Sequence, residues 1–172
     1  LTPAQLSGLT SRQMAQLPRA TFDSFSSAQV LALSPAQLGS LSGGNITSLT
    51  LDEAAGLSTA QVRGLTRGQL AVLDEAFIGA WSGDQRLSLT GGQLSALSPA
   101  KLALFSGAEF AALSKPQIQG LTPAQVGALP TAAFIALTGP QVLAFSPGQL
   151  AALSLPNTAS LTPAEIAGFT PQ

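Results

Sequence analysis

Residues 26–41 read SSAQVLALSPAQLGSL, and residues 122–129 read TPAQVGAL. Both follow one eight-residue pattern: Ser or Thr, often Pro, a small residue, Gln, an apolar residue, two mostly small residues, then Leu. The frame extends outward without insertion, from TPAQLSGL at 2–9 to TPAEIAGF at 162–169, giving 21 octads. Position 1 is Ser or Thr in 18 of the 21, and position 8 is Leu, Phe or Trp in all of them. A repeat this strict decides the architecture before any other feature is weighed.

Each position has a physical role if every octad is one short helix. Ser or Thr at position 1 is an N-cap, and Pro at position 2 (Pro3, Pro35, Pro99, Pro123, Pro147, Pro163) is the favoured first helical residue. Gln at position 4 then completes a Ser/Thr-x-x-Gln capping box. The apolar residue at position 5 and the Leu before each cap form a hydrophobic staple, as Leu9 does with Met14. The next octad's cap ends the helix.

The alternatives fail on periodicity. In one continuous helix, eight residues rotate through about 800°, so no apolar stripe would persist, and the recurrent prolines would break the ladder. In a strand, positions 5 and 8 would face opposite sides. Helices of about one and a half turns are unstable alone. They must coil so that positions 5 and 8 fill a shared interior, with small residues at positions 6 and 7 (Gly8, Ser40, Ala152, Gly168) letting coils approach. The reading is all-α: a narrow α-solenoid of 21 eight-residue repeats spanning 1–172 as one region.

A second period sets the coil. Position 4 departs from Gln at Thr21, Asn45, Glu53, Phe77, Lys101, Glu109, Ala133, Asn157 and Glu165. These recur every 56 residues and define three units, 2–57, 58–113 and 114–169. Within each unit they alternate at three and four octads, the arithmetic that makes a stripe on an ordinary helix. About 3.5 octads, or roughly 28 residues, should therefore complete one coil, which gives about six coils. The exceptions should fall on one side. That side would form an interaction face carrying Glu53, Asp74, Glu75, Phe77, Lys101, Glu109 and Glu165, with Asp52 and Trp81 beside them.

Composition narrows the chemistry. Charged residues make up 9%, the net charge is −1, and there is no Cys, His or Tyr. A concentrated basic face for nucleic acid is missing, as are the residues for disulfides, Cys/His zinc sites and Ser-His-Asp triads. The longest apolar run, Ala132–Leu137, is too short for a membrane span. The acidic pairs Asp52-Glu53 and Asp74-Glu75 fall at helix starts, where the dipole favours carboxylates. Ser98 and Lys101 form a Ser-x-x-Lys, but the octad itself places those residue types there. Asn45-Ile46-Thr47 matches a glycosylation sequon inside an octad, where Asn45 stands in for Gln. Trp81 is a core residue by position. Arg86 at position 5 must either open its octad or pack its stem and turn its guanidinium outward. No catalytic, cofactor or metal residues are assigned.

The reiterated Ser/Thr-x-x-Gln-φ-x-x-Leu, as in TPAQLSGL, STAQVRGL and TPAQVGAL, resembles the Thr-x-x-Gln octapeptide arrays of large bacterial secreted or surface proteins. It covers essentially the whole chain. The resemblance implies an extracellular or cell-surface setting and no active site, and the octads without Gln depart from its pattern. The expected role is a non-enzymatic spacer, adhesive or filament-forming segment of a larger protein. Its expected partners are copies of itself or flanking repeats, met end to end, because both ends break inside an octad without a polar cap. The alternative is a protein- or peptide-binding scaffold, such as a delivered effector, using the charged side.

Overall fold

The computed structural model describes residues 2–169, which hold 21 helices, one per octad, from Pro3–Leu6 to Pro163–Gly168. Each is four to six residues long. The chain divides into two compact units, Leu1–Leu89 and Thr90–Gln172. The division falls between the eleventh and twelfth octads rather than at a boundary of the 56-residue sequence repeat.

The corners follow from the caps. Ser58 is extended (φ −69°, ψ 156°) and its hydroxyl accepts from the Gln61 N–H, while Gln61 Oε1 accepts from the Ser58 N–H at 2.8 Å. The same reciprocal box closes at Thr66–Gln69 in the first unit and Thr122–Gln125 in the second. Where position 1 cannot cap, the backbone substitutes: the Thr21 and Ala133 N–H groups donate to the Pro18 and Pro130 carbonyls at 3.0 and 2.9 Å. Asp74 restores a side-chain cap in its octad, accepting from the Phe77 N–H at 2.7 Å. No described residue has positive φ. These helices end because the next cap goes extended, without a left-handed glycine.

The interior is built as the repeat requires. In the first unit, position 5 supplies Leu38, Ile46, Val62 and Leu70, and position 8 supplies Leu41, Leu57, Leu65 and Trp81, all buried. In the second, Leu94, Phe110, Ile118 and Val126 face Leu97, Leu113, Leu121 and Leu129. Each fully buried side chain of this size contributes about 1.5–3 kcal/mol. That is what holds one-and-a-half-turn helices in place.

Helix packing gives the coil. In the first unit the helices of octads 2 and 5, 5 and 8, 4 and 7, and 7 and 10 pack on one another. In the second the pairs are 12 and 15, 14 and 17, 16 and 19, and 17 and 20. Contact is thus made three octads on, whereas side-chain hydrogen bonds, described below, reach four octads back. One coil therefore takes between three and four octads, as an α-helix takes between three and four residues.

The two sides of the coil differ in closeness. Gly39 and Gly64 let octads 5 and 8 touch backbone to backbone: a Cβ on Gly39 would lie 2.2 Å from the Gly64 carbonyl oxygen, and one on Gly64 2.5 Å from that of Pro35. Gly91 and Gly120 do the same for octads 12 and 15. Since no glycine uses positive φ, these positions are small for space. Seven of the nine octads lacking Gln pack on one another away from these two glycine pairs, in the stacks 3–6 and 7–10 of the first unit and 14–17–20 of the second.

Candidate functional site

Gln at position 4 does more than close its own capping box. Its Oε1 is occupied by the cap N–H, so its Nε2 is left pointing at the preceding coil. Gln37 Nε2 donates to the carbonyls of Leu6 and Leu9, 31 and 28 residues earlier, at 2.7 and 2.8 Å. Gln69 reaches Leu38 and Leu41 at 2.9 Å each, and Gln85 reaches Ala54 and Leu57. In the second unit Gln125 holds Leu94 and Leu97, and Gln149 holds Ile118 and Leu121. The acceptors are the position 5 and position 8 carbonyls at the end of an octad. The first is shared with the octad's own position 8 N–H, as Leu6 with Leu9 at 3.0 Å and Leu38 with Leu41 at 3.2 Å, and the second lies just past the helix. One side chain therefore caps the start of its own helix and the end of another, half an octad short of four octads away.

A capping box accepts Glu or Gln equally, yet 12 octads carry Gln and three carry Glu. The requirement for an N–H donor toward the previous coil accounts for the preference. Sequence reading missed this second role, and the excess of Gln over Glu was its signal. Asn is a shortened version: Asn45 and Asn157 reach only the position 8 carbonyls of Leu17 and Leu129, at 2.9 and 3.0 Å, and close no box.

The position 4 exceptions point the same way as the glutamines. Glu53, Phe77, Lys101 and Glu109 are each less than 8% exposed, and in the first unit Glu53 and Phe77 lie within the coil stack rather than on an outer face. Asp52, Asp74 and Glu75 are exposed, and Glu165 is half-buried. The face expected from the sequence is thus split by a simple rule. Where a preceding coil is present, position 4 turns inward toward it, whereas Gln5, Gln13 and Thr21 of the first coil are exposed; positions 1, 2 and 3 turn mostly outward.

The other singled-out motifs resolve into packing. Ser98 Oγ accepts from the Lys101 backbone N–H at 3.2 Å, which is a helix cap. Asn45 is 1% exposed and bonded to Leu17, so its amide is closed to modification. Trp81 is 2% exposed and meets Phe77 edge to face at 5.9 Å; its Nε1 has no hydrogen-bond partner among the described residues. Arg86 keeps a half-buried stem and turns its guanidinium back onto the Trp81 carbonyl. Among the described residues no three His, Cys, Asp or Glu side chains gather to hold a metal ion, and no helix is long and apolar enough to cross a membrane.

Where the Gln bridge is replaced, cavities open. One of about 440 Å³ in the first unit is lined by octads 3, 4, 6 and 7, including Arg19, Phe22, Asp23, Phe25, Thr50 and Glu53. A smaller one of about 120 Å³ lies beside Phe77 and Asp74, with the exposed Leu51 and Val72 in its walls. No protein-family model, curated protein or solved structure matches the chain.

Proposed function

We propose that the chain is a non-enzymatic structural segment, a spacer that associates end to end through the same interface that joins its coils, within a larger extracellular or surface protein. The observation that carries this reading is the Gln bridge. It recurs with the same donor and the same two acceptor positions at Gln37, Gln69 and Gln85 in the first unit and at Gln125, Gln141 and Gln149 in the second. Gln61 keeps the position 8 acceptor and takes its second from position 6. An interface that repeats by translation along a coil has no built-in stopping point, and head-to-tail contacts that do not close make open assemblies. A near-neutral chain adds little charge repulsion between copies. The octapeptide resemblance is what supports the extracellular setting.

Negative-stain electron microscopy of the purified chain over a wide concentration range tests the assembly. Particles that lengthen in steps as concentration rises are expected. Uniform particles of single-chain size at the highest concentration would remove self-association from the proposal. Protection of the chain from added protease on intact cells of its source would remove the surface setting.

A further inference from the structure

We propose that the cavity beside Glu53 binds an organic cation carrying N–H donors, a guanidinium or a primary alkylammonium. The argument begins with what this coil lacks. At Gln37, Gln61, Gln69 and Gln85 the Nε2 fills the space before a position 8 carbonyl 28 residues back, at Leu9, Leu33, Leu41 and Leu57. Twenty-eight residues before Glu53 stands Phe25, and no donor from the described residues reaches its carbonyl. Glu53 keeps only half of the glutamine's role: one carboxylate oxygen, Oε2, accepts from the Thr50 N–H at 2.9 Å. Its other oxygen has no hydrogen-bond or ion-pair partner among the described residues, although the residue is only 6% exposed. That oxygen keeps contact with solvent and is free to accept a donor, and Glu53 lines a cavity of about 440 Å³.

The remaining walls suit a cation with an apolar body. Phe22 and Phe25 both line the space, their rings 5.5 Å apart and inclined at 51°. Such faces attract guanidinium and ammonium groups. Asp23 adds a second carboxylate at the rim. The one cation there, Arg19, is tied to it, with Nε 3.3 Å from Asp23 Oδ2. The lining thus carries two carboxylates and one guanidinium, a net negative charge, and opposes an anion. A bare metal ion would find a single buried carboxylate, too few ligands for a hard cation. A guanidinium or ammonium pairs with Glu53, offers an N–H where the Gln amide stands in other coils, and lays its body on the phenyl rings. Its source is a free small molecule or a basic side chain of a polypeptide.

Titration of the ¹⁵N-labelled protein with argininamide, and separately with the blocked peptide acetyl-Gly-Arg-Gly-amide, tests this by NMR. Saturable shifts are expected at residues 19–30 and 48–53, with a Kd of about 1 mM or tighter. Saturation by argininamide alone assigns the site to free small cations, and equal or tighter saturation by the peptide assigns it to polypeptide side chains. Glu53→Gln restores the amide donor toward Phe25 and should leave the chain folded with a raised melting temperature. It should weaken binding roughly tenfold or more, the loss of one charge-assisted contact. Absence of saturable shifts with both probes would overturn the assignment. So would binding by Glu53→Gln as tight as that of the parent chain, or shifts centred on Asp74 and Glu75.

Discussion

Gln37 and Leu9 lie 28 residues apart and are joined at 2.8 Å, the Gln37 side-chain amide donating to the Leu9 carbonyl. That single distance in sequence contains the architecture. Twenty-eight residues are three and a half octads, so each coil is displaced by half an octad from the one before. The start of a helix then sits over the end of another. A glutamine at the third helical position is the one common side chain that can accept from its own cap and donate across that step.

The two roles of glutamine separate by substitution. Gln13 is exposed and bonds only within its own octad, to the Thr10 N–H and hydroxyl. Gln13→Glu should change stability by less than about 0.5 kcal/mol, since Glu closes the same box. Gln69→Glu also keeps the box but removes both donors to Leu38 and Leu41 and sets a carboxylate against their oxygens. It should cost roughly 1–3 kcal/mol in a urea melt. Equal effects at the two sites would contradict the bridging role.

Glycine placement gives a second contrast. Gly64→Ala drives a methyl into the Pro35 carbonyl of the neighbouring coil and should cost about 1–3 kcal/mol through overpacking. Gly92 has nothing within 4 Å of its would-be Cβ. There the same change should stabilise by roughly 0.5–1 kcal/mol, because alanine loses less entropy on entering a helix. Thermal melts of the two variants should move in opposite directions.

Asn157 marks a place where the chain falls short of its own pattern. It is fully buried, donates to Leu129, and leaves its Oδ1 without a hydrogen bond. Asn157→Gln lengthens the side chain to the form that serves the other octads. The amide oxygen can then accept from the Ser154 N–H, and stability should rise by about 0.5–1.5 kcal/mol. A destabilised variant would show that the longer side chain does not fit this coil.

Much of this was legible in the octad. The caps, the staple, the buried positions 5 and 8 and the coil of 3.5 octads all follow from local rules and the 56-residue recurrence, which act within a few residues or repeat without interruption. What the sequence hid depends on direction across coils. Position 4 of octads 7, 10, 13 and 14 carries Glu53, Phe77, Lys101 and Glu109, which look like a surface set because most are charged or atypical. For Glu53 and Phe77 the burial follows from the inward turn of the third helical position, visible only once the preceding coil is in place. The cavity beside Glu53 needs Phe22 and Phe25 from an octad four earlier, a juxtaposition that no short window contains.

Core and cap should also separate in magnitude. Leu121 is 3% exposed, and Leu121→Ala should cost roughly 2–5 kcal/mol. Thr122 accepts from the Gln125 N–H at 3.2 Å, and Thr122→Ala should cost about 1 kcal/mol. Denaturant melts of the two adjacent substitutions would expose a helix-per-octad error at once, since similar small losses at both would mean that position 8 is not the core.

The half-octad step is tested most directly by nuclear Overhauser contacts from the Gln69 side-chain amide protons. The account predicts cross-peaks to the backbone and side chains of Leu38 and Leu41, 31 and 28 residues earlier. Cross-peaks instead to Asn45 or to Gln37, at whole numbers of octads, would place three or four repeats in each coil and contradict it.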